Sequence, residues 1–278
     1  MKQQNIPTVQ GHSIAARVYG ADGDSLLIIA SATGVKQTFY QQFAEYLSSQ
    51  GITVITFDYH GIGASLNEPI QSISTTAAQW GSNDLEAVIQ WTNKYYPTAS
   101  IAAMGHSIGG QLLGLAPSST TLKRIVLVAA QSGYWKFWQG MQQWRMWVNW
   151  YWLFPMLVRL FGYMPSKRFS GMENLPKQVA AQWSRWCRNK DYLLADVSIE
   201  EQYFHRIQAP VISFSIDKDP FAPQQAVNWL TSQYTSSVIQ EQHLHGAAFG
   251  VHEIGHFGIF KEKFRSTLWP LLHQACVK

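Results

Sequence analysis

Apolar residues recur along the chain in two rhythms. Unbroken runs of strand length occur at SLLIIA (25–30), ITVITFD (52–58), SIAAMG (100–105), RIVLVAA (124–130) and PVISFSI (210–216). Between them lie stretches whose apolar positions fall three or four residues apart. QTFYQQFAEYLSSQ (37–50) puts Phe39, Phe43, Tyr46 and Leu47 on one face, and NDLEAVIQWTNKYY (83–96) does the same with Leu85, Val88 and Ile89. The second rhythm predicts amphipathic helices, and the first predicts strands buried on both faces. Near the start, VQGHSIAARVYG predicts two strands joined by a tight turn at Gly11. Buried strands alternating with helices imply an α/β fold with a mostly parallel central sheet and helices on both faces. In such sheets the chemistry gathers at the carboxyl ends of the strands.

Residues 134–164, YWKFWQGMQQWRMWVNWYWLFPMLVRLFGYM, break the alternation and hold six of the 12 tryptophans. Arg145, Asn149 and Arg159 interrupt the apolar run, and Pro155 is expected to kink a helix there. A bilayer span needs about 20 mainly apolar residues, so a membrane-spanning helix is disfavoured. The expected organisation is a core of residues 1–130 and 206–278 with a helical, tryptophan-rich lid insertion at 131–205. Trp135, Trp138, Trp144, Trp147, Trp150 and Trp152 are expected to divide between gluing this insertion to the core and lining an apolar site, with packing taking the larger share.

Composition narrows the classes. With 46% apolar and 14% charged residues over 278 positions, the chain has the makings of a packed core. A net charge of +4 with no basic arm makes nucleic acid a poor partner. The opening MKQQNIPTVQ lacks the apolar centre of a secretory leader, and Cys187 and Cys276 are too few for a disulfide framework. Both features lead to the expectation of a cytoplasmic protein.

GHSIGG (105–110) follows the strand SIAAMG and precedes the helical run QLLGL. A G-x-S-x-G between strand and helix is the setting in which a serine sits on a sharp, strained turn and projects its hydroxyl. Gly105 and Gly109 permit the close chain approach, and the free amides of the first helical turn favour an oxyanion beside Ser107.

These residues resemble the α/β-hydrolase superfamily, and the resemblance extends further. ITVITFDYHGIGAS is similar to the strand and loop upstream of its nucleophile, with Asp58 and His60 as scaffold residues. LLIIASATGVKQTFYQQFAEYLSSQG is similar to its oxyanion strand, loop and first helix, and DPFAP and GHFGIF to its acid and histidine segments. Covering roughly the first 130 and last 75 residues, the resemblance leaves the tryptophan-rich middle unmatched. Within the superfamily, SATGVKQTFY and FDYHGIGAS look most like predicted bacterial esterases. ASATG departs from the His-Gly that many members carry after the oxyanion strand.

The resemblance implies an acid and then a histidine after the serine. Asp217 and Asp219 both follow PVISFSI; Asp219 matches the acid position better, with Asp217 as the alternative. Either aspartate also suits a cap on a helix beginning near Pro223. His256, in GHFGIF, matches the base, whereas His243, His245 and His252 lack that context. An imidazole can take a serine proton near neutral pH and return it to a leaving group. The oxyanion hole is expected from the backbone amides of Ile108 and of Thr33 or Ala32.

VHEIGHFGIF (251–260) also contains H-E-x-x-H, a zinc-peptidase signature. That motif binds metal only on a helix, where both histidines face one ion. Gly250, Gly255 and Gly258 weaken a helix by about 1 kcal/mol each, so the zinc reading is disfavoured, and neither metal nor cofactor is expected. The sequence therefore predicts a serine hydrolase for small-molecule carboxylic esters or thioesters with an apolar part. An acyltransferase using the same residues is the alternative, ahead of a non-catalytic binding protein. Membrane contact through the lid is open but not favoured.

Overall fold

The computed structural model describes residues 1–20 and 23–277. The strands are β1 (Lys2–Pro7), β2 (Ser13–Tyr19), β3 (Ser25–Ala30), β4 (Thr53–Phe57), β5 (Ser100–His106), β6 (Arg124–Val128), β7 (Tyr163–Met164), β8 (Leu175–Pro176), β9 (Val211–Ile216) and β10 (Ile239–Leu244). Eight of them form one sheet in the order β1-β2-β4-β3-β5-β6-β9-β10, while β7 and β8 pair separately. β2 lies antiparallel to both β1 and β4, and the remaining pairings in the large sheet are parallel. The expected mostly parallel α/β sheet is therefore present.

The helices are α1 (Gln41–Ser49), α2 (Ala77–Gln79), α3 (Glu86–Tyr95), α4 (Ile108–Leu113), α5 (Gly140–Val148), α6 (Phe154–Phe161), α7 (Lys177–Arg188), α8 (Gln224–Thr231) and α9 (Leu268–Val277). Strand periodicity of two sorts the core into two layers. Leu26, Ile28 and Ala30 of β3 face one side and pack with Val88 and Ile89 of α3 and with Leu112 and Leu113 of α4. Leu27 and Ile29 face the other, with Phe43 and Leu47 of α1 and Leu268, Trp269 and Leu272 of α9. Each face of the sheet is covered by helices, which is why its strands read as unbroken apolar runs.

Two local expectations are revised. The turn at Gly11 is present, but the strand before it is β1 in the polar KQQNIP, not VQG. Residues 83–96 form α3 only from Glu86, after a π-type turn at Trp80–Leu85. Around Pro155, expected to kink a helix, α5 runs through a π-type turn at Asn149–Leu153 into α6, so the helix is locally distorted but continues. The proline lies inside this continuous run, just after the π-type turn, and the Trp150 carbonyl in the turn behind it accepts from Ser184 Oγ at 2.7 Å.

Residues 131–205 run between β6 and β9 and are tied to the loops at the carboxyl ends of the strands. Glu173 N–H donates to the Gly34 carbonyl at 2.7 Å. Trp138 Nε1 donates to the Pro220 carbonyl at 2.8 Å. Asp58, at the end of β4, accepts from the Gln37 and Ala64 amides at 2.7 and 3.0 Å, clasping the loop after β3 to the one after β4. The His60 amide donates to buried Asp84 at 2.8 Å. Both residues hold loops in place, as the sequence suggests.

Candidate active site

Ser107 sits at the junction of β5 and α4 with φ +55° and ψ −120°. A non-glycine residue in this region stores strain on the order of 1–3 kcal/mol and persists only where its surroundings impose it. Here they do. A Cβ on Gly109 would lie 2.1 Å from the Ala30 carbonyl oxygen, and one on Gly105 would lie 2.4 Å from the Gly110 Cα. Glycine at both positions lets α4 press against β3 and β5, and the Ser107 amide is fixed to the Val128 carbonyl at 3.0 Å.

The two candidate acids part company at a turn after β9. Asp219 is buried, and its Oδ2 accepts from His256 Nδ1 at 2.7 Å while its Oδ1 accepts from the Phe221 amide at 2.8 Å. Asp217 is turned away: its Oδ2 lies 3.8 Å from Nδ1 of exposed His245. Lys218, between them, adopts φ +57° and makes the sharp reversal.

His256 is buried among the rings of Phe221, Phe257 and His106, with centroids 5.3, 4.8 and 5.0 Å away. With Nδ1 given to Asp219, Nε2 is left without a protein partner among the described residues. Residues 251–257 form no helix; His252 is exposed and its ring lies 3.6 Å from Glu253, while His256 is buried. The H-E-x-x-H letters thus do not bring two imidazoles to one metal position. Asp217, His243 and His245 do approach one another, with ligand atoms within 4.8 Å, on the outer strand β10 and the end of β9.

Ser107, His256, Ala32 and Thr33 line one cavity of about 770 Å³. Ser107 Oγ accepts from Gln131 Nε2 at 3.4 Å; the structure shows this bond rather than one to His256. The cavity walls include a set of aromatic rings: Phe39, Trp138, Trp150, Phe154, Trp183, Phe221 and Phe257. Of the six clustered tryptophans only Trp138 and Trp150 reach it. Two buried polar atoms of cavity-lining residues, Gln131 Oε1 and Trp150 Nε1, lack partners. A groove of about 810 Å³ along β1 and α3 contains none of these residues.

The two amide candidates differ. Ala32 N–H already donates to the Tyr40 hydroxyl at 3.0 Å. Thr33 N–H has no acceptor among the described residues, and Ile108 N–H, at the first position of α4, has none within its helix.

Sequence reasoning misses Gln131, Tyr40 and His106. His106 Nε2 lies 3.0 Å from the His256 carbonyl, which can only accept, so Nε2 carries the hydrogen. His106 Nδ1 then accepts from the Tyr40 hydroxyl at 2.8 Å, whose oxygen takes the Ala32 amide. One chain of neutral hydrogen bonds thus joins the loop after β3 to the backbone of His256. Burial, and secondarily nearby His256, hold the His106 ring well below the usual imidazole value of 6.5.

A stability consequence follows. As pH falls below about 6.5 the unfolded chain protonates His106 while the folded chain does not, removing up to about 1.4 kcal/mol per pH unit. Thermal melts between pH 5 and 8 are expected to show this acid-side loss, and His106→Gln to flatten it. Equal slopes for both proteins would refute the assignment.

The fold defines the class: this is an α/β hydrolase. Residues 23–186, more than half of the chain, match the family described as serine aminopeptidase, S33, and the chain belongs to that family. The match runs into the tryptophan-rich segment and stops before Asp219 and His256, a different extent from that expected. No curated protein sequence matches the chain. Among solved structures it is similar to an esterase of Pyrococcus furiosus (16% identity, 99% of this chain and 91% of that one, TM-score 0.63). It is also similar to an esterase of Exiguobacterium antarcticum (14%, 99% of each chain, TM-score 0.62). A third is a Xanthomonas campestris α/β serine hydrolase described as lacking a lid (15%, 100% and 95%, TM-score 0.54). At these identities the likeness is one of fold.

Proposed function

We propose that the chain is a serine hydrolase that cleaves carboxylic esters or thioesters with an apolar part. One observation carries the reading: a strained serine and a buried His256–Asp219 pair open into the same aromatic cavity. Ser107 Oγ attacks the acyl carbon as its proton passes to His256 Nε2. The carbonyl oxygen, now negative, takes hydrogen bonds from the Ile108 and Thr33 amides, each contributing about 2.7–4 kcal/mol to the transition state. Thr33 is preferred to Ala32 in this role because the Ala32 amide already donates to the Tyr40 hydroxyl.

His256 returns its proton to the departing alkoxide or thiolate, leaving an acyl-Ser107 ester. Water, deprotonated by the same nitrogen, then releases the acid. Asp219 keeps the hydrogen on Nδ1 and stabilises the imidazolium. Residues 131–205 act as the lid, supplying Trp138, Trp150, Phe154 and Trp183 to the acyl pocket. A volume of this order suits a small-molecule ligand. The esterase names of two structural neighbours agree with this choice of bond.

A fluorophosphonate probe is expected to label the purified protein once, on the peptide that contains Ser107. Mass spectrometry that finds the serine unlabelled, or Ser107→Ala labelled as strongly as wild type, would overturn the proposal.

A further inference from the structure

The helical run 140–161 is apolar on two opposite sides, and only one of them meets protein. Met146, Asn149, Trp150 and Phe154 face the cavity, and Leu157 and Val158 are buried in the core. On the other side Trp144 is 62% exposed, Val148 46%, Trp152 64%, Met156 57% and Leu160 71%, with Met141 at 76% one turn earlier. From Trp144 onward these positions step by four. A step of four overshoots an α-turn of about 3.6 residues, and the wider π-type turn at Asn149–Leu153 takes back part of that drift. The outcome is an outward apolar stripe along roughly 33 Å of helix. Large exposed apolar stripes rimmed by charge mark interaction surfaces.

The charge beside the stripe says what kind of surface it fits. Residues 134–168 contain five of the chain's 21 basic residues (Lys136, Arg145, Arg159, Lys167 and Arg168) and none of its 17 acidic ones. This segment therefore holds +5, and the rest of the chain −1, against the total of +4. All five are exposed, and of them Lys167 pairs with Glu173 at 3.2 Å. Arg145 and Arg159 flank the stripe and form no ion pair among the described residues. Lys136 and Arg168 lie over the faces of Trp135 and Phe161 at 5.4 and 5.1 Å, leaving their charge on the same segment. No described helix is long and apolar enough to cross a membrane.

We infer that the outer face of residues 140–161 docks on an anionic lipid bilayer, with Trp144, Trp152, Met156 and Leu160 entering the headgroup–acyl boundary and Arg145 and Arg159 pairing with lipid phosphates. Tryptophan and arginine on a helix with exposed apolar residues suit that boundary, where apolar burial and attraction to anionic lipid add. This surface does not rest on the reading of Ser107, because none of these residues lines the cavity.

The test is co-sedimentation of the full chain with phosphatidylcholine vesicles, with and without one third phosphatidylglycerol. Binding is expected only with the anionic lipid, weakening as salt rises. Trp144→Ser/Trp152→Ser should lower the partition coefficient more than tenfold, and each of Arg145→Gln and Arg159→Gln about fivefold. Circular dichroism melts establish that the variants are folded. No binding at low salt, or equal binding to neutral and anionic vesicles, overturns the inference. So does unchanged binding by a folded tryptophan variant. A concentration-dependent dimer that Trp144→Ser/Trp152→Ser dissolves would assign the face to a second copy and equally overturn it. No readout passes through hydrolysis, so failure here leaves the proposed function standing.

Discussion

Ser107→Ala is expected to lower kcat for short-chain nitrophenyl esters on the order of a millionfold. The size comes from the proposed route, in which no acyl-enzyme forms without Oγ and His256 has no hydroxyl to activate. What survives is whatever rate the amides of Ile108 and Thr33 and the cavity can lend to direct attack by water. Folding should be untouched. Alanine meets the same φ of +55° as serine, so the strain is not relieved, and the only side-chain bond lost is the long one to Gln131 at 3.4 Å. Initial rates set beside thermal melts separate the two effects. A folded variant that keeps a tenth of wild-type activity would remove Ser107 from the chemistry.

The parts of the fold legible in the sequence are those where one physical demand acts alone. β3, β5, β6 and β9 are covered on both faces, so their interior positions are apolar or small, with Ser213 and Ser215 as the polar exceptions in β9, and the runs stand out. β1 and β10 border the sheet, and their KQQNIP and IQEQHL leave most side chains to water. They resemble loops by composition, and backbone pairing alone makes them strands. G-x-S-x-G is readable because contacts of 2.1–2.4 Å leave no room for a Cβ at Gly105 or Gly109. The run 140–161 is illegible for the opposite reason. It is apolar toward the cavity and apolar toward the outside, so no polar face marks its phase, and Trp150 cannot be told from Trp152 without coordinates.

Supporting residues of the candidate site were hidden by distance along the chain. Tyr40 and His106 are 66 positions apart, and His106 and His256 are 150 apart. Nothing local to either tyrosine or histidine signals the pairing. Gln131 lies just past β6, at the carboxyl end of the strand next to that of Ser107, so the rule that chemistry gathers there could have found it. The choice between Ala32 and Thr33 depends on which amide a tyrosine hydroxyl occupies, and no sequence pattern carries that.

Asp219→Asn is expected to lower kcat about 10⁴-fold, and Asp217→Asn to leave it close to wild type. The two residues sit on either side of Lys218, and the difference between them is one of direction. Asp219 reaches the buried Nδ1 of His256 at 2.7 Å and is itself steadied by the Phe221 amide. As a carboxylate it can only accept, so Nδ1 must donate and Nε2 is left free for the serine proton that the proposed mechanism assigns to it. An asparagine can turn its NH₂ toward Nδ1, which then accepts. The ring hydrogen moves to Nε2, and the base is lost without displacing an atom of the scaffold. Asp217 lies by exposed His245 at 3.8 Å, on the far side of the turn, where loss of its charge reaches nothing in the cavity. Parallel rate measurements on the two variants decide the matter. Should Asp217→Asn be the crippled one, the carboxylate that orients His256 has been assigned to the wrong side of Lys218.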